Sequence, residues 1–348
     1  MFSPGARYIL EIGMDKSLHP FQGDIVMKKW IVLSLLTTAL AFGPAMAETT
    51  NVKIGGGPTG GTFNTFANAM AVYISKVDPN MVTTAVGSGG SVENLKRVSG
   101  GESDFGLCYA VDMDLGYKGK LPMDTRTYQN IRSVGYLYGA PAQLVVNADS
   151  DIKSAYDLKG KRVAVGNAGS GAAASAERFF RHIGVWENFK PTFMGYSAAA
   201  SAFKDGKIDA FWVLVGYPNA SIIEASVQVK IRLLDLGVDA EKSGFYDAYA
   251  YSPTVIPAGT YGKTMPECKT FQDSTILAVR KDMSDEAVYQ IMKHLWSPAG
   301  MEAMVGASKS FDEMNPDNAF NGASVPLHPG AVKFWQEQGK EIPEKLMP

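Results

Sequence analysis

Asn51-Val-Lys-Ile-Gly-Gly-Gly-Pro-Thr-Gly-Gly-Thr62 passes from a strand-like stretch through a glycine-rich turn into a helix. Beyond the turn, Phe63, Phe66, Met70, Tyr73, Ile74 and Val77 recur at helical spacing, which predicts one apolar helix face. The theme returns downstream. Met81-Val-Thr-Thr-Ala-Val leads into Gly87-Ser-Gly-Gly-Ser91 and a helix over 92–98, with Ser91 as the expected N-cap and Gly100 and Gly101 as the stop. Arg162-Val-Ala-Val leads into Gly166-Asn-Ala-Gly-Ser-Gly171 and a helix over 172–182. A strand at 191–195, a helix at 198–204 and a strongly apolar strand at 208–215 follow. Strands alternating with helices predict an α/β architecture with largely parallel sheets, in which ligands bind beyond the carboxyl ends of the strands.

Two long apolar strands flank the third unit, one around 138–147 and one at 275–280. A two-lobed protein whose chain crosses twice between lobes would show this pattern. We place lobe one at 48–145 with 276–348, and lobe two at 146–275.

Ahead of these units, Lys28 and Lys29 precede the apolar run 30–42, and the chain then reads Ala45-Met46-Ala47. This is the pattern of an export signal over 27–47, cut after Ala47, which places the mature protein in the periplasm. Residues 1–26 carry Arg7, Glu11, Asp15, Lys16 and Asp24 ahead of that signal, and we read them as a mis-assigned upstream start, with translation beginning at Met27. The 348-residue chain carries 33 Lys plus Arg against 35 Asp plus Glu, a formal charge of -2. Nucleic acid and anionic membranes demand a concentrated basic surface, so neither is expected as a partner. Of the two cysteines, Cys108 lies in a strand-like stretch and Cys268 in a turn-like one; we expect free thiols.

Motifs for catalysis are poorly met. Gly55-Gly-Gly-Pro-Thr-Gly60 satisfies the spacing of a dinucleotide fingerprint, but the second strand ends at Val86-Gly87-Ser88 without the acidic residue that would hold a ribose. Gly61 stands where a phosphate-binding loop needs lysine. Gly169-Ser170-Gly171 lacks the outer glycines of a nucleophile elbow. His182, His294 and His328 have no second His or Cys at ligand spacing, so no metal is expected. Acid/base catalysis through carboxylates alone stays open, but nothing singles out a pair, and we assign no cofactor and no catalytic residue. What remains is three turns rich in Gly, Ser and Thr at helix starts, which offer free N–H groups and hydroxyls to an anion. Any one of them alone reads better as ordinary capping and tight turning; three together, spread over both lobes, point to one anion-binding cleft.

The ordered segments Ile54-Gly-Gly-Gly-Pro-Thr-Gly-Gly-Thr-Phe, Gly89-Gly-Ser-Val-Glu-Asn-Leu, Gly101-Glu-Ser-Asp-Phe-Gly-Leu, Asp157-Leu-Lys-Gly-Lys-Arg-Val-Ala-Val-Gly, Gly169-Ser-Gly, Asp205-Gly-Lys-Ile-Asp-Ala-Phe, Tyr217-Pro-Asn-Ala, Ile256-Pro-Ala-Gly-Thr-Tyr and Leu327-His-Pro-Gly-Ala resemble the TAXI family of TRAP-transporter-associated extracytoplasmic solute receptors. The resemblance implies a type II periplasmic-binding-protein fold, two α/β lobes closing on a ligand in the cleft. It also implies a monomeric receptor that captures a small organic anion, such as glutamate or a related amino acid, a 2-oxo acid or a dicarboxylate, and docks on TRAP transporter membrane subunits. Carried over by motif, the ligand contacts are Thr59, Gly60, Thr62, Ser88, Ser91, Tyr109, Ser170, Gly171 and Tyr217. The chain departs from the family pattern at Tyr109-Ala110, where Gln and then Ser or Asn are usual, and at Ala172, where Thr is frequent. Both departures remove polar groups, which puts glutamate in doubt as the ligand. A solute sensor for a two-component system and an enzyme on the same fold are the competing functions.

Overall fold

The computed structural model describes residues 49–122 and 124–348. The expected leader 27–47, the upstream residues 1–26 and Glu48 lie outside the described residues. The described residues form ten strands: β1 (Thr50–Gly55), β2 (Met81–Val86), β3 (Phe105–Tyr109), β4 (Ile131–Asn147), β5 (Arg162–Ala164), β6 (Lys190–Thr192), β7 (Ala210–Leu214), β8 (Ile231–Leu233), β9 (Ser252–Ile256) and β10 (Cys268–Arg280). The helices that follow the first seven strands are α1 (Thr62–Val77), α2 (Ser91–Gly100), α3 (Ala110–Tyr117), α4 (Gly171–His182), α5 (Tyr196–Lys204) and α6 (Ala220–Gln228). The chain continues through α7 (Gly237–Lys242), α8 (Phe245–Ala248), α9 (Asp285–Leu295), α10 (Pro298–Ala307) and α11 (Pro329–Glu337).

The strands hydrogen-bond in the order β2-β1-β3-β10-β4-β7-β5-β6, with β8 on β4 and β9 on β10. This is an α/β fold with a mixed sheet. β1 pairs in parallel with both β2 and β3, and β5 pairs in parallel with both β6 and β7. Between these two groups run β10 and β4, antiparallel to each other and to their outer neighbours β3 and β7. β4 pairs with β10 as far as Pro141 and with β7 from Ala142 onward. β3, β7 and nearly all of β4 are buried along their whole length, as expected of strands covered on both faces.

Local readings shift at several boundaries. α1 buries Phe63, Phe66, Met70 and Ile74, but Val77, its last residue, faces solvent. β6 ends at Thr192, short of the expected 195, and α5 starts at Tyr196 rather than 198. The N-cap of α2 is Gly90, not Ser91. Gly90 adopts φ 117 and ψ -152, a conformation that a side chain would resist, and this turns the chain so that Ser91 becomes the first helical residue. Cys268 opens β10 rather than lying in a turn, and both cysteines are free and buried. Among the described residues no helix is long and apolar enough to cross a membrane.

Candidate functional site

In each parallel group the first strand sits in the middle, so the chain leaves it to one side and returns on the other. A crevice opens at the carboxyl end of such a strand. The cavity found here is lined wholly by residues that end or follow those six strands. Pro58, Gly61, Thr62 and Phe63 follow β1; Gly89, Gly90 and Ser91 follow β2; Tyr109 ends β3. Across from them, Asn167, Ser170 and Ala172 follow β5, Gly195 and Tyr196 follow β6, and Val215 follows β7.

Helices α1, α2, α4 and α5 all begin at this cavity. The N-caps of α1 and α2 are glycines with no side-chain hydrogen bond, so the first N–H groups of these helices stay free to meet a ligand. Ser170 caps α4 through its Oγ, which accepts from Ala173 N at 3.0 Å. The Ser91 Oγ accepts from Tyr109 N at 2.9 Å, joining α2 to the end of β3. Each hydroxyl accepts one bond and still has its own proton to donate. Asn94 supports the floor: its Nδ2 donates to Gly56 O at 2.6 Å and Leu107 O at 2.8 Å.

The space inside is small, about 20 Å³ for the centres of water-sized spheres, because the two groups of turns touch. Tyr109 and Tyr196 both donate their phenol hydroxyls to Leu214 O, the second at 3.4 Å. Burial raises both phenols, Tyr109 well above its ordinary value and Tyr196 to about 12, so each remains a neutral donor. Asn219 Nδ2 donates to Gly60 O at 3.0 Å, and Ser197 Oγ donates to Thr59 O at 3.3 Å.

Behind Gly171 the contact is closer still. A Cβ at that position would lie 2.5 Å from Asp112 Oδ2, 2.6 Å from Ser91 Cβ and 2.7 Å from the Tyr109 ring, so only glycine lets α4 approach α3 this closely. The Arg178 guanidinium donates to Asp112 Oδ1 at 3.0 Å, with side chains 3% and 1% exposed, and also meets the Tyr251 hydroxyl. Arg178 lies two turns into α4, yet its side chain ends beside the helix start. It reaches back because helical side chains lean toward the N-terminus. Asp273 completes this cluster: its Oδ1 accepts from Val111 N at 3.3 Å, while Oδ2, like Asp112 Oδ2, has no hydrogen-bond partner.

Of the residues singled out from sequence, Thr62, Ser91, Tyr109 and Ser170 line the cavity, and Gly171 sits against it. Thr59 and Gly60 instead offer carbonyls to Ser197 and Asn219 across the closure. Ser88 shapes its own turn, donating to Gly56 O at 2.9 Å and accepting from Gly90 N at 3.0 Å. Tyr217 stands outside the lining, its carbonyl accepting from Ser310 Oγ at 3.1 Å. Asn167 and Tyr196 were missed. Asn167 lay in a turn already marked by its glycines, and Tyr196 was lost with the late start assigned to α5. Among the described residues no group of His, Cys, Asp and Glu could hold a metal ion.

Solved structures similar to this chain include the periplasmic aliphatic sulphonate binding protein of Escherichia coli, at 16% identity over 82% of each chain and a TM-score of 0.44. The alkanesulfonate-binding protein of Xanthomonas axonopodis pv. citri, bound to MOPS, matches at 15% identity over 84% of this chain and 91% of its own, TM-score 0.46. A putative L-cystine ABC transporter protein of Listeria monocytogenes matches at 14% identity over 75% of this chain and 95% of its own, TM-score 0.46. The model of the NMT1-like family matches residues 54–339, nearly the whole of the described chain, and the protein belongs to that family.

Proposed function

We propose that this protein is a periplasmic solute-binding receptor that captures a small organic anion and delivers it to the membrane subunits of a TRAP-type secondary transporter. The observation that carries the reading is the cavity itself: the N-termini of α1, α2, α4 and α5 and two serine hydroxyls meet there, drawn from the strand ends of both parallel groups. Such an arrangement binds an anion through aligned N–H dipoles and hydroxyl donors. Binding at the junction of two groups joined by β4 and β10 gives the ligand a means to hold them closed. In this reading the lobes are 48–145 with 276–348, and 146–275. The TRAP assignment rests on the ordered motifs from Ile54 to Ala331. The lining supplies donors and rings without a charged side chain, which suits capture without chemistry.

A thermal-shift screen of organic acids identifies a ligand, and Ser91→Ala and Ser170→Ala then test the site. A hydrogen bond to a charged acceptor contributes roughly 1.5 to 3 kcal/mol, so each variant should bind about tenfold to a hundredfold more weakly. Ser170→Ala also removes an N-cap and should cost about 1 kcal/mol of stability, so melting is measured beside affinity. Wild-type affinity in both variants would rule this cavity out.

A further inference from the structure

Resting on the reading of this cavity as an anion site, we infer that the ligand is a monocarboxylate with an uncharged apolar or aromatic body, and that dicarboxylates and α-amino acids are rejected. The helix-start donors lie together, with Thr62 and Asn167 as further polar side chains of the wall. Ser91 and Ser170 face the cavity with their protons free, beside the unpaired N–H groups of α1, α2 and α4. That set complements one carboxylate once the turns part. No Lys, Arg, His, Asp or Glu lines the cavity.

Charged groups nearby are already engaged. Glu93 accepts from Gly89 N at 2.8 Å and pairs with Arg97. Lys96 and Arg126, which line a wider groove on the far side of Ser170, are held by Asp124 at 2.8 Å and 2.9 Å. Arg178 is held by Asp112. Among the described residues a second carboxylate therefore finds no cation on the wall, and an ammonium finds no free carboxylate there. Either charge would be desolvated without a partner. Apart from Thr62, Asn167 and four glycines, the rest of the wall is Pro58, Phe63, Tyr109, Ala172, Tyr196 and Val215. The hydroxyls of Tyr109 and Tyr196 are committed to Leu214 O, so these residues offer ring carbons, with Phe63 4.8 Å from Tyr109 between ring centres. A flat apolar group fits such a wall.

One carboxylate oxygen must be tested directly. Asp112 Oδ2 is buried without a partner, and the Gly171 backbone separates it from the cavity. If the turns part, it could receive an ammonium.

The experiment is calorimetric titration of the protein with two matched sets: phenylpyruvate, phenylalanine and phenylsuccinate, then 4-methyl-2-oxopentanoate, leucine and glutarate. In at least one set the monocarboxylate should bind, and its amino-acid and dicarboxylate counterparts should be weaker by about a hundredfold or more, the effect of an uncompensated buried charge. An amino acid or diacid that binds as tightly as its monocarboxylate overturns the inference, as does failure of both monocarboxylates to bind. An amino acid whose binding is lost in Asp112→Asn locates the error at Asp112. Ser91→Ala and Ser170→Ala separate the two levels. If a diacid or amino acid binds and both variants weaken it, the anion site stands and the ligand class falls. If a monocarboxylate binds with unchanged affinity in both variants, the site falls and the inference with it.

Discussion

Ser91 and Ser170 are alike in sequence, each following glycine at a helix start, yet they act differently. Ser170 is a cap, whereas Ser91 lies inside its helix and fixes the end of β3 through Tyr109 N. Asp273 is the residue whose chemistry depends most on its surroundings. Burial and the charge of Asp112 raise its carboxyl well above the ordinary 3.8, with Arg178 acting against them. Tyr251 and Tyr109 also face the group. The folded protein therefore binds this proton more tightly than the unfolded chain. The stabilisation is complete below the ordinary carboxylate value and is lost as pH rises through the folded value. Urea unfolding measured from about pH 4 to about pH 8 should contain a descending contribution that Asp273→Asn removes. An identical pH profile in the variant would show that Asp273 is not the group responsible.

At the scale of elements, α3 and α4 meet through Gly171 and through the Arg178 to Asp112 pair. Arg178 also lies over the Tyr249 and Tyr251 rings, at 5.6 Å and 5.8 Å. Removing one partner of a buried pair leaves the other charge uncompensated, so Arg178→Met should lose roughly 3 to 5 kcal/mol of stability. The double variant Arg178→Met with Asp112→Leu should recover much of that loss in chemical denaturation. If the single variant loses less than about 1 kcal/mol, the pair is solvated in solution and does not join the helices. Helices α1, α2 and α4 were legible because glycine-rich turns precede apolar spacing. Their joining by Arg178 was not, since helical spacing gives a side chain's direction but not the partner that another element brings to it.

For the whole molecule, the cavity of about 20 Å³ is close to the space one water needs, far below that of an organic acid. The two groups of turns must part for a ligand to enter, and β4 and β10 are the strands that continue between them. Ligand that binds across the junction should draw them together again. Scattering should then show a smaller radius of gyration with ligand than without. At a hundred times its dissociation constant the ligand should add about 2.7 kcal/mol to the unfolding free energy. Superimposable scattering curves with and without a saturating ligand would exclude this motion.

Strand–turn–helix units were fixed by local features: alternating apolar strands, glycines and hydroxyls at the turns, and apolar spacing in the helices that follow. These features act over a few residues, so the α/β class and the turns at Thr62, Ser91 and Ser170 could be read directly. Tertiary structure alone decided which turns share a cavity. That depends on strand order, which places β1 between β2 and β3 and β5 between β6 and β7, and so brings Tyr109, Ser170 and Tyr196 together from distant points in the chain. It also decided that Thr59 and Gly60 offer carbonyls to Ser197 and Asn219, and that Ser88 holds backbone, rather than lining the cavity, because their hydrogen-bond partners are supplied by the fold. Local sequence sets how a turn is built; packing sets what it faces.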